Sequence, residues 1–184
     1  GGIHLTLGVC PDIAIFAKAL GNGFPIAAII GTRDVMDVAQ DTFISSTMWT
    51  ERIGFAAGLA TLDKMKKKNV QKYLVRYGKK IKNGWKDIST RTQIKINIAG
   101  LDSIPNFSFN HPDSVAINTF FNQEMLEKGF LANTSLSTTY AYTDKIIDEY
   151  LSNVEITFKK IRKHISDGKY PPLKGPVKHT TFQR

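Results

Sequence analysis

One lysine lies inside an otherwise apolar stretch of this 184-residue chain, and a Gly-Asn-Gly turn follows it directly. Lys18 comes after the apolar residues 13–17, and Gly21, Asn22 and Gly23 come next. Burying an ammonium group in such a stretch is costly unless the charge is paired, lost through a lowered pKa or removed by imine formation. The pattern therefore favours Lys18 as a nucleophilic amine that forms a Schiff base with a carbonyl of a substrate or of pyridoxal phosphate.

An ordinary surface role for Lys18 stays open at this stage. The chain has 25 lysines and arginines, and most lysines pack their stems on apolar surface while the ammonium group reaches water. Residue type alone does not distinguish the two interpretations.

The surroundings of Lys18 resemble the cofactor-lysine segment of class III aminotransferases, most closely the branch that contains glutamate-1-semialdehyde aminomutase. The resemblance lies in Pro11-Asp12-Ile13 and in residues 17–28, where lysine, two glycines and a proline fall in order. It implies that Lys18 holds pyridoxal 5′-phosphate as an internal aldimine, with the glycines letting the backbone bend beside the cofactor.

A second segment, residues 45–62, resembles the family's Ser/Thr-Thr stretch and the alanine-rich helix after it. The resemblance implies that Thr47, with Ser46 beside it, binds the cofactor phosphate of a neighbouring subunit in a homodimer that shares its active sites. Hydroxyl groups just ahead of a helix suit a phosphate, but an ordinary helix cap explains such a pair equally well. Residues 48–52 are bulkier and more charged than in many members, which affects substrate identity more than cofactor use.

The predicted elements are those of an α/β protein. We expect strands at 13–17 and 26–30, a short helix at 35–39, and a long helical stretch from about Glu51 that breaks at 66–69. Phe55, Leu59, Leu62 and Met65 share one face of that helix, and small residues beside them allow close approach of another element. Further strands are expected at 93–98, 106–109 and 130–132, with helices after Asp113 or Ser114 and after Thr143.

A composition shift near Asn83-Gly84 marks the predicted domain boundary. By resemblance to fold-type I pyridoxal phosphate enzymes, residues 1–83 are the end of the large cofactor domain and residues 84–184 are a small α+β C-terminal domain. Family members are roughly twice this length or more. A pyridine-binding aspartate, a stacking aromatic and a Gly/Ser phosphate turn lie upstream in them, so we expect the isolated fragment to have little or no activity.

Composition excludes several other classes of function. No run of about 18 apolar residues is present, which argues against a membrane span, and residues 1–5 lack the features of a signal peptide. Cys10 is the sole cysteine and the four histidines are far apart, so neither a disulfide nor a metal site is indicated. A single cysteine is compatible with a reducing, cytoplasmic location.

The formal charge of +9 raises the alternative of a basic binding module. The basic residues concentrate late in two predicted helices, where they favour the helix C-terminus and solvent, and no nucleic-acid-binding motif accompanies them. We expect no nucleic acid and no membrane as partners, and small-molecule amino donors and acceptors as substrates. The competing interpretation is a noncatalytic module that dimerises or binds through its basic face.

Overall fold

The computed structural model describes residues 2–169 and 171–179, and they form two compact units. The first unit ends at Asn69 and the second begins at Val70. The boundary predicted at Asn83-Gly84 falls inside a continuous helix that runs from Val70 to Thr92. The lysine-rich break at 66–69, which we predicted only as an interruption between helices, is where the compact units divide.

The first unit is built around a two-stranded antiparallel sheet. Ile13 pairs with Gly31 at one end of the sheet, and Phe16 pairs with Ala28 at the other. Both strands lie close to where the sequence predicts them: the first ends one residue earlier, and the second starts two residues later and ends one residue later. The elements of this unit, in order, are α1 (Ile3–Leu7), β1 (Ile13–Phe16), β2 (Ala28–Gly31), α2 (Arg33–Asp37) with a 3-10 turn (Val38–Asp41), and α3 (Arg52–Lys68). No pattern in the sequence predicted α1.

Helix α3 starts and stops where the sequence indicates. The Glu51 carboxylate accepts a hydrogen bond from the Ile53 amide at 2.9 Å, and Asn69 ends the helix in a left-handed conformation with φ of 48°. Its apolar stripe is not buried within this unit, because the Phe55 and Leu59 side chains are 59% and 70% exposed. The buried residues of α3 are instead Gly54 and Gly58, so the predicted close approach through small residues is confirmed.

The second unit combines three long helices with a β-hairpin. The hairpin turns at Asp102 and Ser103, with Leu101 opposite Ile104 and Ile96 opposite Phe109. Its elements are α4 (Val70–Thr92), β3 (Ile96–Leu101), β4 (Ile104–Phe109), α5 (Ser114–Glu127) and α6 (Asp144–Ser166). Strand β3 starts three residues later than predicted and β4 two residues earlier.

The buried apolar side chains of the described residues all lie in the second unit, between Val70 and Ile161. Trp85 and the aromatic side chains of the hairpin and of α5 and α6 form the centre, with the Trp85 and Phe107 rings 4.8 Å apart. On the last helix, apolar residues recur at steps of four and three, a spacing that predicts one buried face, and Ile147, Val154 and Phe158 are buried as expected. The helix starts after Thr143 as predicted, and the Thr143 hydroxyl caps it by accepting from the Ile146 amide at 3.3 Å.

The strand predicted at Phe130–Ala132 is wrong. The Ala132 amide donates to the Phe130 carbonyl at 2.8 Å, so a tight local turn takes the group that a strand would have used for pairing. Pairing with β4 occurs further along, where the Phe107 amide donates to the Thr134 carbonyl at 2.9 Å and Asn106 forms a bridge with Ser135.

The C-terminal segment after Ser166 has no helix or strand in its described part. Two of its amides donate to α5 side chains, Lys174 to Gln123 at 2.8 Å and Lys178 to Thr119 at 3.1 Å. The sequence predicts an extended or loosely held tail from Pro171-Pro172 to Arg184, and residues 180–184 of it, like Tyr170, lie outside the described residues. None of the helices in the described ranges combines the length and apolarity that a bilayer span requires.

Candidate functional site

Lys18 begins a short 3-10 turn directly after β1, with a backbone φ of 52°. The left-handed region is uncommon for residues other than glycine, and such positions concentrate where the surrounding structure imposes the conformation. The Lys18 carbonyl accepts hydrogen bonds from the amides of Gly21 and Asn22, both at 3.2 Å, which hold the turn closed. The Lys18 side chain is exposed, so the burial cost that the apolar sequence suggested does not arise in this structure.

The loop after Lys18 depends on its glycines, as the Gly-Asn-Gly pattern predicts. A Cβ atom placed on Gly21 would lie 2.1 Å from the Phe24 carbonyl oxygen, too close for any side chain. Gly23 has a φ of 113°, which a residue with a side chain rarely adopts. The lysine loop, residues 18–26, is therefore held in one shape by its own backbone.

Two open clefts meet at Pro25 and Ile26. One, of about 520 Å³, is lined by Lys18, Gly23 and Phe24 in addition to these two residues. The other, of about 590 Å³, is lined among others by Ser46 and Trp49 in addition to the same two residues. The structure therefore brings Lys18 and Ser46 to clefts that share a wall, whereas Thr47 is exposed and lines neither cleft.

Ser46 and Thr47 do not cap helix α3. They lie in the approach to the helix, where the Ser46 carbonyl accepts from the Trp49 amide at 3.2 Å. Glu51 occupies the cap position, and its carboxylate adds negative charge at the first turn of α3. The Glu51 carboxylate occupies the Ile53 amide, and its negative charge disfavours an anion at the α3 N-terminus. The sequence analysis did not assign this capping role to Glu51.

These residues fit pyridoxal phosphate at two chemically distinct points. Lys18 presents an exposed primary amine, the group that condenses with an aldehyde. Ser46 presents a hydroxyl, a donor that phosphate oxygens accept. The clefts beside the two side chains are open and share the Pro25–Ile26 wall.

About half of the basic residues that raised the question of nucleic acid are paired with carboxylates. Lys80 contacts Asp144 at 2.8 Å and Asp148 at 2.7 Å, and these hydrogen bonds raise the pKa of Lys80. On the last helix, the Lys159 ammonium group lies 2.9 Å from Glu155. Pairs with carboxylates also involve Lys67, Arg76, Lys79, Lys82 and Lys160. This pairing is typical of a solvated charged surface.

The second unit has its own cleft, of about 270 Å³, between residues 130–137 and the start of α6. Tyr142 and the buried Tyr150 line it, and the Tyr142 hydroxyl donates to the Ser137 carbonyl at 3.3 Å. Tyr140 instead packs against Tyr73, with ring centroids 4.5 Å apart. Among the described residues, no three His, Cys, Asp or Glu side chains group as metal ligands.

The comparisons with known proteins establish the family. The sequence profile "Aminotransferase class-III" matches residues 3–155, so the chain belongs to the class-III aminotransferase family. The resemblance noted in residues 11–28 and 45–62 is thereby confirmed. Pyridoxal 5′-phosphate is the cofactor that this membership indicates.

Two curated relatives match at modest identity. A glutamate-1-semialdehyde 2,1-aminomutase of Persephonella marina is 28% identical over 178 residues, covering 88% of this chain and 42% of its own. A 3-aminobutyryl-CoA aminotransferase of Cloacimonas acidaminovorans is 24% identical over 168 residues, covering 84% and 41%. The chain thus spans about two fifths of the length of these relatives.

Solved structures confirm the fold. The pyridoxal phosphate internal aldimine form of the FumI protein of Sphingopyxis sp. MTA144 superposes with a TM-score of 0.81 at 22% identity, covering 92% of this chain and 41% of that one. A transaminase with pyridoxal phosphate bound gives the same TM-score at 18% identity. The predicted fold-type I architecture is therefore confirmed for the part of it that this chain contains.

Proposed function

We propose that the protein to which these residues belong is a pyridoxal-phosphate-dependent aminotransferase or aminomutase, with Lys18 as the amine that holds the cofactor. The observation that carries this proposal is the exposed Lys18 amine, fixed by a left-handed turn beside a cleft whose wall also borders Ser46. A lysine with an ordinary surface role does not require such a turn.

Within this chain, the chemical steps are assigned to Lys18. Pyridoxal phosphate, when bound, supplies an aldehyde carbon and an electron-withdrawing ring. Lys18 Nζ must be unprotonated to attack a carbonyl carbon. When a substrate amine has taken its place, the freed Lys18 Nζ can accept a proton from a substrate carbon and return it elsewhere, as a general base and then a general acid.

Ser46 and Thr47 are proposed as phosphate-binding residues. Both are exposed, and a hydroxyl hydrogen bond to a doubly charged phosphate is charge-assisted and stronger than one between neutral groups. Ser46 lines the cleft next to the lysine loop and Thr47 does not. This difference agrees with Thr47 acting on the cofactor of a neighbouring subunit, in a homodimer with shared active sites.

The 184 residues by themselves are proposed to be inactive. They span about two fifths of their curated relatives. The family resemblance implies that the pyridine-binding aspartate, the stacking aromatic and the phosphate turn lie upstream of these residues. The whole protein would act in the cytoplasm on a small-molecule amino donor and acceptor. Its reaction is either transamination or intramolecular transfer of an amino group, and both occur among the named relatives. An amino-sugar acceptor is one candidate, suggested by residues 49–52.

A noncatalytic module that dimerises or binds through its basic face is the second candidate function. The net charge of +9 favours it, while the pairing of Lys80, Lys82 and other basic side chains with carboxylates disfavours it. Binding to nucleic acid phosphates weakens steeply with added salt. We expect no saturable nucleic-acid binding at physiological salt, and a tight, sequence-selective complex would support this second function instead.

Covalent trapping tests the proposal. The chain as given and an upstream-extended form are mixed with pyridoxal phosphate and reduced with borohydride, and the modified peptide is located by mass. We expect an adduct at Lys18 in the extended form, lost in Lys18→Gln, with Arg33→Gln, at an exposed residue of α2, as a surface control. No adduct at Lys18 in either form would overturn the cofactor assignment.

A further inference from the structure

Helix α3 contacts the lysine loop through two glycines. A Cβ atom placed on Gly54 would lie 2.7 Å from the Pro25 carbonyl oxygen and 3.2 Å from Ile26 Cβ. A Cβ atom on Gly58, one turn later, would lie 3.6 Å from Ile26 Cδ1 and 3.9 Å from the Leu20 side chain. Gly54 and Gly58 are the buried residues of α3, so this contact is where the helix packs within its unit.

The two positions differ in what a methyl group would meet. At Gly54 the nearest atom belongs to the backbone, which cannot rotate away, and 2.7 Å is shorter than real Cβ contacts allow. At Gly58 the nearest atoms are the ends of flexible side chains at ordinary van der Waals distance. A methyl group at residue 54 must therefore displace Pro25 or the start of α3, whereas one at residue 58 fits.

The displaced segment is the wall between the two clefts. Pro25 and Ile26 border both the space beside Lys18 and the cleft that Ser46 lines. Residues 18–24 have little freedom to compensate, because the Lys18 carbonyl is bound by two amides and the Gly21 backbone lies against Phe24. A shift of Pro25 thus changes the position of the Lys18 amine relative to Ser46 and to both clefts.

We propose that Gly54 is a positioning residue for Lys18: the absence of a side chain lets the first turn of α3 lie against the Pro25 carbonyl and thereby sets the relative placement of the lysine and Ser46. This inference rests on the proposed function of Lys18. Glu51 supports it, since its cap on the Ile53 amide fixes where the first turn of α3 begins.

The test compares Gly54→Ala with Gly58→Ala in the natural full-length polypeptide that contains these residues. Both substitutions raise helix propensity by about 1 kcal/mol, so they are matched in their effect on α3 itself. The readouts are the rate of borohydride trapping at Lys18, the dissociation constant for pyridoxal phosphate, and the pH midpoint of the trapping reaction. Circular dichroism and thermal melting check that both variants are folded.

We expect Gly54→Ala to slow trapping and weaken cofactor binding about tenfold, because misplacing a reacting group by a fraction of an ångström has effects of this order. The pH midpoint should shift as well, which a general loss of stability would not cause. Gly58→Ala should leave all three readouts within about twofold of the wild type, since its methyl group fits the available space. Equal losses in the two variants, or none in Gly54→Ala, would overturn the inference.

Two further outcomes are distinguishable. No adduct at Lys18 in the wild type would overturn both the proposed function and this inference, whereas normal trapping in Gly54→Ala overturns the inference alone. Where Gly54→Ala does not fold, Gly58→Val reaches the same loop, because its branched side chain extends into Ile26 and Leu20. A folded Gly58→Val variant that traps the cofactor as the wild type does would also overturn it.

Discussion

Glu124 of α5 accepts a hydrogen bond from the Lys160 ammonium group of α6 at 2.6 Å, although the Glu124 side chain is only 7% exposed. Lys128 donates to the same carboxylate oxygen at 3.1 Å. Burial acts to raise the pKa of Glu124, but the hydrogen bonds from Lys160 and Lys128 together outweigh it and lower the pKa below 4.5. The buried carboxylate therefore stays ionised and joins two helices of the second unit.

Replacing this carboxylate should weaken the second unit in a pH-dependent manner. We expect Glu124→Gln to lower the free energy of unfolding by about 1–2 kcal/mol at pH 7, less than for a fully buried pair because Lys160 is half exposed. A lowered pKa in the folded state contributes stability above pH 4.5 that disappears as the pH falls through the folded pKa. The free energy of unfolding, measured in urea at pH 7 and at pH 3.5, should therefore change less between the two pH values in Glu124→Gln than in the wild type.

Glu127→Gln is the matched control for that measurement. Glu127 pairs with Lys174 at 2.5 Å, but the two side chains are 42% and 76% exposed. An exposed pair contributes little, so the variant should stay within about 0.5 kcal/mol of the wild type. If both variants lose the same stability, burial of Glu124 is not the reason.

The second unit should fold without the first. Every buried apolar side chain among the described residues lies within it, whereas the first unit has a two-stranded sheet whose Ile15 and Ile29 are 68% and 57% exposed. A two-stranded sheet alone is marginally stable in water. We expect a polypeptide of residues 70–184 to melt cooperatively and to give a dispersed NMR spectrum.

Residues 1–69 provide the comparison. They should show neither property as an isolated polypeptide, because they bury too little apolar surface to offset the entropy of folding. A cooperative melt of 1–69, or none of 70–184, would contradict this assignment of stability.

Gly78 should be the least replaceable glycine of helix α4. A Cβ atom there would lie 1.4 Å from the Asp102 carbonyl oxygen in the hairpin turn. We expect Gly78→Ala to cost about 3 kcal/mol or more, since helix and hairpin must separate. At Gly84 the nearest atom is Leu151 Cδ1 at 2.5 Å, a side chain that can rotate, so Gly84→Ala should cost about 1 kcal/mol. Chemical denaturation of both variants measures the difference, and equal costs would contradict it.

Trp85 and Tyr150 form a buried polar pair. The Trp85 indole N–H donates to the Tyr150 hydroxyl at 3.1 Å, and burial strongly raises the pKa of Tyr150 above 10.0. Tyr150→Phe leaves the indole N–H without its acceptor, so we expect a loss of about 1–3 kcal/mol at pH 7. Trp49→Phe, at an exposed tryptophan, serves as a control and should cost less than about 0.5 kcal/mol.

Alkaline pH gives a second measurement on this pair. Because the folded pKa of Tyr150 is raised, its contribution to stability is complete below pH 10 and is lost as the pH rises from there through the folded pKa. Unfolding free energies at pH 8 and pH 10.5 should therefore differ less in Tyr150→Phe than in the wild type. An identical difference in both proteins would show that Tyr150 ionises freely in the folded state.

The sequence was sufficient to predict features that residues close together along the chain determine. The Gly-Asn-Gly turn after Lys18, the Thr143 cap and the left-handed end of α3 at Asn69 follow from residues within a few positions of one another. The turn and the helix start at Thr143 were predicted as such, and the end of α3 was predicted only as a break in the helical stretch. The stripe on α6 was also predictable, because helical periodicity identifies a buried face.

Predictions from the sequence were wrong where contacts between residues far apart in the chain determine the structure. The apolar stripe of α3 predicted its buried face, yet within this unit the helix packs through Gly54 and Gly58, since Pro25 and Ile26 need a surface without side chains. Phe130–Ala132 has strand propensity, but its amide is used in a tight turn and pairing with β4 begins only after it. Helix α4 runs through the composition change at Asn83-Gly84 because Ile81, Trp85 and Ile88 beside it are buried in one core.

The sequence by itself determined the family, the cofactor it uses and the lysine that became the candidate for holding it, because those features are carried by short motifs whose residue types and order are specific. Tertiary structure alone decided that Lys18 is exposed on a left-handed turn, that the lysine and Ser46 border clefts with a common wall, and that Gly54 sets the approach of α3 to that wall. The physical reason is that distances between segments depend on packing, and close packing depends on every atom at the contact rather than on any one stretch of chain.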